Sequence, residues 1–187
     1  MATGPRLPGT ACEAGRELNI RRIVILGFMA CGKTTVGKSL ADQFECSFVD
    51  LDSFITESRG RSPAEIIQTN GEASFREIET LALRDVLQDR EARVIALGGG
   101  TWTIPANRTL IALHDCLSLW LDVPFELCWQ RISANELVRP LAPDHEAARA
   151  RYDSRRSDYA LADRHLTVSA TDSVETIVDQ IRRHSRH

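Results

Sequence analysis

Apolar residues fall along this chain in two alternating periods. Short, nearly continuous apolar runs occur at RIVILG (Arg22–Gly27), SFVDLD (Ser47–Asp52), RVIALG (Arg93–Gly98), CLSLWLDV (Cys116–Val123) and HLTVSA (His165–Ala170). Their continuity predicts strands buried on both faces. Between them the spacing turns helical. GKTTVGKSLADQF (Gly32–Phe44) puts Val36, Leu40 and Phe44 on one stripe, and VETIVDQIRRH closes the chain as a helix. EASFREIETLALRDVLQD (Glu72–Asp89) predicts a long helix with Phe75, Ile78, Leu81, Ala82 and Val86 inward. In RSPAEII, Ser62, Pro63 and Glu65 supply an N-cap, a first-turn proline and a capping-box acid. Strands alternating with helices predict an α/β fold with a parallel sheet covered on both faces. One domain over residues 20–187 is expected, behind a mobile extension of residues 1–19 rich in Gly, Pro and polar residues. SANELVRPLAPDHE (Ser133–Glu146) carries two prolines and three acids with little apolar periodicity, and predicts a mobile lid.

Composition narrows the partners. A net charge of −3 from 26 acidic and 23 basic residues gives no general basic field, so no nucleic-acid partner is expected. No apolar run approaches the ~20 residues of a membrane span. The five cysteines (Cys12, Cys31, Cys46, Cys116, Cys128) form no CxxC pair, which fits reduced thiols in a cytoplasm. The histidines show no metal-ligand spacing. Trp102, Trp120 and Trp129 are expected in the core or a pocket wall.

GFMACGKT (Gly27–Thr34) matches GxxxxGK[ST] in full, after a strand and before a helix. Loop N–H groups and a helix N-terminus converge there on negative oxygens. Gly27 and Gly32 supply backbone shapes that a side chain resists. Lys33 reaches the β and γ phosphates, and the Thr34 hydroxyl can ligate Mg²⁺, which needs few protein ligands. VIALGGG carries glycine where an ordinary second acidic strand end would stand. The acids lie instead in DLD, Asp50 and Asp52. Two apart on a strand, they share a face at the mouth of the sheet, where one could hold a Mg²⁺ shell and the other face an acceptor hydroxyl. The competing reading makes them helix caps ahead of SFITESR.

With the P-loop, DLD, FREIE, GGG and RPL in this order, the sequence resembles the shikimate kinase family from about Arg22 to the C-terminal helix. GRSPAEIIQTNGEASFREIE (Gly60–Glu79) is similar to the family's shikimate-binding region almost throughout. The resemblance implies a P-loop kinase fold, a five-stranded parallel sheet with a lid. It implies transfer of the γ-phosphoryl of ATP to the 3-hydroxyl of shikimate with Mg²⁺; a monomer is expected. Ala30, Cys31, Gly32, Lys33, Thr34 and Thr35, with Arg139 from the lid, would hold the nucleotide. Thr34 and Asp50 would hold the metal, Asp50 through water. Asp52 would contact the acceptor hydroxyls and take the transferred proton, with Lys33 and Arg139 also catalytic. Arg76 and Arg155 would clamp the shikimate carboxylate, with Arg156 as the fallback for the second arginine, and Glu79 would brace the pocket. Gly98, Gly99 and Gly100 would lie against substrate, where any Cβ would intrude; the competing reading is a turn with a flexible tail. Arg131 would lie against the adenine.

Some positions depart from the family pattern. Ala30 replaces a usual glycine, tolerable if its φ is negative. Cys31 is either an oxidisable thiol in the cradle or an inert small residue. Thr101 and Trp102 bring more bulk than usual after the glycines. Arg149, Arg151 and Arg156 are expected on a solvated face. Two other functions stay open: a related kinase such as a gluconate kinase, and a nucleotide-binding regulatory module that has lost transfer.

Overall fold

Five apolar runs become five strands, β1 (Ile23–Leu26), β2 (Ser47–Asp50), β3 (Ala92–Ala96), β4 (Leu117–Asp122) and β5 (Arg164–Thr167). They form one parallel sheet in the order β2-β3-β1-β4-β5. The protein is represented by a computed structural model describing residues 21–89, 91–134, 141 and 143–184. The expected N-terminal extension, and half of the expected lid including Arg139, lie outside the described residues. The central strand β1 is apolar throughout and fully buried, as continuous apolar strands in a covered parallel sheet must be. The chain runs from β1 outward to β2, returns to β3, then crosses β1 to β4. That reversal opens a crevice beyond the C-terminal strand ends, where α/β sheets bind ligands. Among the described residues no helix is long and apolar enough to cross a membrane.

The helices are α1 (Lys33–Gln43), α2 (Leu51–Arg59), α3 (Pro63–Gln88), α4 (Pro105–Leu113), α5 (Phe125–Ser133), α6 (His145–Tyr159) and α7 (Val174–His184). Local chemistry sets their ends. At α3 the capping box forms as expected: Ser62 Oγ accepts from Glu65 N–H at 3.3 Å, and Glu65 Oε2 accepts from Ser62 N–H at 2.7 Å. Gly71, at φ 84° and ψ 164°, breaks α3 into two helical halves. Its second half buries Phe75, Ala82 and Val86 as expected, but Leu81 is 45% exposed, and Glu79 is fully buried in the same helix. Helix α6 starts inside the expected lid, where Asp144 caps it by accepting from Ala147 N–H at 2.8 Å. Trp102 and Trp120 are core residues.

The largest departure lies at DLD. The strand stops at Asp50, not Asp52. Asp50 is the N-cap of α2, its Oδ1 accepting from Ser53 N–H at 3.1 Å, and Asp52 sits in the first helical turn. Strand alternation therefore does not bring the two acids together; a strand-to-helix turn does.

Arg22 ties the sheet to the end of α3. Its buried guanidinium donates to the carbonyls of Ala92 (2.7 Å), Leu87 (2.7 Å), Val86 (3.0 Å) and Asp89 (2.6 Å). A cation here satisfies the carbonyls a helix C-terminus leaves open. Arg22→Met is expected to cost about 3 kcal/mol, because charge-assisted bonds are lost and buried acceptors are stranded. Urea unfolding would show this as a lower midpoint at constant slope. An unchanged midpoint would mean that Arg22 contributes nothing beyond its aliphatic stem.

Candidate active site

The turn after β1 makes the cradle. Gly27 (φ 144°) and Gly32 (φ 100°) take backbone shapes closed to other residues. At Gly27 a Cβ would also stand 2.8 Å from the Leu121 carbonyl oxygen. Ala30 sits at φ 58°, so the condition of a negative φ fails. The strain is about 1–2 kcal/mol, and the loop holds it with a hydrogen bond from Arg131 Nη1 to the Ala30 carbonyl at 3.2 Å. Arg131 thus lies on the cradle itself. Lys33 Nζ donates to the carbonyls of Gly27 (3.1 Å) and Phe28 (2.9 Å), folding its charge over the loop. Helix α1 has no capping side chain and no acid in its first turn, so its leading N–H groups and positive end are open to an anion. Thr34 and Thr35 are exposed there, while Cys31 is buried with its sulfur 3.7 Å from Lys33 Nζ.

Two carboxylates face this cradle from the end of β2. Asp50 Oδ2 accepts from the Thr34 hydroxyl at 2.6 Å, so a hydroxyl and a carboxylate already converge. Asp52 lies beyond them. Burial among protein atoms, then the nearby Asp50 and Glu79 carboxylates, push its carboxyl up to about 6, against the pull of Lys33 and Arg76. Its outer edge nonetheless faces an open cleft of about 320 Å³, so water tempers the desolvation.

Helix α3 carries the next group. Glu79 accepts from Arg76 Nη1 at 2.7 Å on one oxygen and from Thr101 Oγ1 at 2.7 Å on the other. Arg76 also donates Nη2 to Glu72 at 2.8 Å. Its side chain is only 18% exposed, so it is not a solvated surface charge. Desolvation works against its charge, but Glu79 and Glu72 together raise its pKa. Arg155, on α6, is buried, and among the described residues no carboxylate lies within ion-pair distance of it. Its described partner is the Tyr159 hydroxyl; desolvation first, then Arg151 and Arg76, lower its pKa. Tyr159 in turn donates to the Gly99 carbonyl. Arg156 points elsewhere, forking onto both oxygens of Asp122 at 2.8 and 3.1 Å. Of the two candidates for the second carboxylate arginine, the structure brings Arg155 to the glycine turn and pairs Arg156 with Asp122.

The three glycines after β3 have a reason that the sequence did not disclose. None has a positive φ, so conformational freedom is not what selects them. At Gly98 and Gly100 the space a Cβ would take is already full of protein, and at Gly99 it is tight. At Gly98 it would stand 2.6 Å from Glu79 Oε1 and 2.8 Å from Asp52 Oδ1. At Gly99 the nearest atom is Arg155 Nη1 at 3.3 Å, and at Gly100 the Arg76 guanidinium carbon lies at 2.6 Å. The turn is where Asp52, Glu79, Arg76 and Arg155 converge.

The structure thus gathers Lys33, Thr34, Asp50, Asp52, Arg76, Glu79, Arg155 and the glycine turn at the C-terminal edge of the sheet. Sequence reasoning missed Thr101 as a brace of Glu79 and placed Arg151 on a solvated face. Arg151 is instead partly buried, 3.2 Å from Glu72. The only available signal was the placement of Glu72 one helical turn before Arg76.

A family model described as shikimate kinase matches residues 29–186. A shikimate kinase of Lactococcus lactis subsp. lactis (strain IL1403) is 40% identical over 163 residues, covering 86% of this chain and 95% of that protein. The crystal structure of shikimate kinase from Bacteroides thetaiotaomicron superposes with a TM-score of 0.79 at 26% identity, over 88% of this chain and 98% of that one. Shikimate kinase from Acinetobacter baumannii in complex with shikimate gives a TM-score of 0.78 at 29% identity, over 88% and 92%.

Proposed function

We propose, from the premise that this chain belongs to the shikimate kinase family, that the site just described transfers the γ-phosphoryl of ATP to the 3-hydroxyl of shikimate. The observation that carries the acceptor half is Arg155. A buried guanidinium without a carboxylate partner among the described residues needs an anion. Arg76, held by Glu72 and Glu79, lies at the same glycine turn, and shikimate brings one carboxylate. We assign that carboxylate to Arg155 and Arg76. Glu79 holds Arg76 in place from behind.

Lys33, the open N-terminus of α1 and the loop N–H groups hold the phosphates of ATP; Lys33 exchanges its two loop carbonyls for phosphate oxygens. Thr34 and Asp50 suit Mg²⁺, a hard cation that takes oxygen ligands and keeps several waters. When bound, Mg²⁺ neutralises phosphate charge. Asp52 accepts the hydrogen of the acceptor hydroxyl. Its raised pKa suits a group that receives a proton near neutral pH. Four described cysteines are free thiols, which supports a reducing cytoplasm as the working compartment.

ADP release, measured with shikimate, with gluconate and with no acceptor, tests the proposal. Turnover is expected with shikimate and not with gluconate. Equal slow turnover in all three would point to a regulatory module, and a preference for gluconate to a different kinase.

A further inference from the structure

Beside the glycine turn lies an open cleft of about 640 Å³, lined among others by Glu72, Arg76, Arg151, Ser154 and Arg155. Glu72 bridges two arginines within it. One of its oxygens lies 2.8 Å from Arg76 Nη2 and 3.2 Å from Arg151 Nη1. This carboxylate occupies one arm of the guanidinium to which the acceptor's own carboxylate is assigned. Desolvation opposes its ionisation, yet Arg76 and Arg151 together keep its pKa below the ordinary value. Glu72 is therefore a charged group at working pH, and a competitor for Arg76.

The balance of charge decides whether that competition matters. Among the described residues, three cations line this end of the cleft: Arg76, Arg151 and Arg155. Two carboxylates pair with them, Glu72 and Glu79. Asp158, on the rim, is matched by Arg108 at 3.2 Å. One positive charge is left over, which suits a ligand with a single carboxylate. Without Arg151 the cleft would be neutral, and Glu72 would rest on Arg76 alone. An incoming carboxylate would then have to displace it with nothing to receive it.

We propose that Arg151 is a specificity-determining residue for the acceptor: it shares the Glu72 oxygen that Arg76 also holds, gives that carboxylate a partner to fall back on when the acceptor arrives, and supplies the surplus charge that one acceptor carboxylate neutralises. This rests on the reading of the cleft as the shikimate site. Arg151 and Arg155 stand one turn apart on α6, so a single helix sets both the residue that meets the carboxylate and the one that Glu72 falls back on. The selected class is a monocarboxylate polyol; a neutral polyol would gain nothing from the surplus.

Steady-state kinetics and shikimate binding by calorimetry, on wild type, Arg151→Met, Glu72→Gln and the double variant, test this. Arg151→Met should raise the KM for shikimate ~10-fold, the scale of one partly screened charge, with kcat and the KM for ATP near wild type. Glu72→Gln alone should leave the KM unchanged or lower it. The double variant restores the surplus, and its KM should return to within about threefold of wild type. A packing role for Arg151 would give no such rescue. The inference is overturned if Arg151→Met leaves the KM unchanged, or if the double variant is as impaired as the single. It is overturned together with the functional reading if the wild-type chain neither binds nor phosphorylates shikimate. Because the Arg151 side chain is 27% exposed, the Met variant is expected to fold, and melting curves check that.

Discussion

Asp52→Asn is expected to lower kcat by ~10²-fold or more while leaving ATP and Mg²⁺ binding near wild type. Phosphoryl transfer relies on positioning and charge neutralisation, with one group orienting the attacking hydroxyl. Asn keeps the shape of Asp52 and one acceptor oxygen, but no longer takes a proton. Asp50→Asn should fail differently. Asn is also a good N-cap, so α2 should start as before, and the change isolates the charge beside Thr34. Higher Mg²⁺ should recover part of the Asp50→Asn rate and none of the Asp52→Asn rate. Plots of kcat against Mg²⁺ decide between them, and superimposable, rescuable curves would make both residues part of the metal shell.

The same Asp52 variant has a stability signature of defined sign. The folded carboxyl is raised from 3.8 to about 6. Between those values the folded chain keeps a proton that the unfolded chain has released. Stability therefore falls as pH rises through this window, and the cost is complete above it. In EDTA, so that no cation sits beside Asp50, Asp52→Asn should melt higher than wild type at about pH 7.5, and the gain should vanish below about pH 4. Identical melting at both pH values would mean that Asp52 is not held against its ionisation.

How much of this could be read from the chain depended on how local the physics was. The cradle was legible because its glycines, lysine and threonine act within one strand-to-helix turn. The capping box at Ser62 was legible for the same reason. DLD was harder: the residues that end β2 also begin α2, and period-two alternation gives no sign of where the strand stops. Glu79 defied the apolar stripe because its burial depends on Arg76 and on Thr101, 22 residues away. Arg151 was taken for a solvated charge because its partner, Glu72, lies 79 residues earlier on another helix. The left-handed backbone of Ala30 had no signal beyond the residue's departure from the family pattern.

The glycine turn was legible as important, and the structure adds to the expected substrate contact a second cause, the protein's own side chains, that can be measured. Gly98→Ala is expected to cut kcat/KM by ~10²-fold or more, the scale on which small displacements of reacting groups act. Its Cβ would enter 2.6 Å from Glu79 Oε1, 2.8 Å from Asp52 Oδ1 and 3.1 Å from Thr101 Oγ1. Glu79 has little freedom to yield, being fully buried and held at one oxygen by Arg76 and at the other by Thr101. Either Asp52 is pushed off the acceptor position, or Glu79 moves and takes Arg76 with it. Gly99→Ala offers the contrast, since its nearest neighbours are Arg155 Nη1 at 3.3 Å and the Met29 backbone nitrogen at 3.5 Å. A shift of a few tenths of an ångström accommodates that methyl, and the loss should stay under about tenfold. Melting temperatures for both variants separate a displaced site from a destabilised fold. Were both alanines equally damaging, the shared cause would be a ligand lying along the whole turn. A severe loss at Gly98 with a mild one at Gly99 would show instead that the glycines make room for the protein's own acids and arginines.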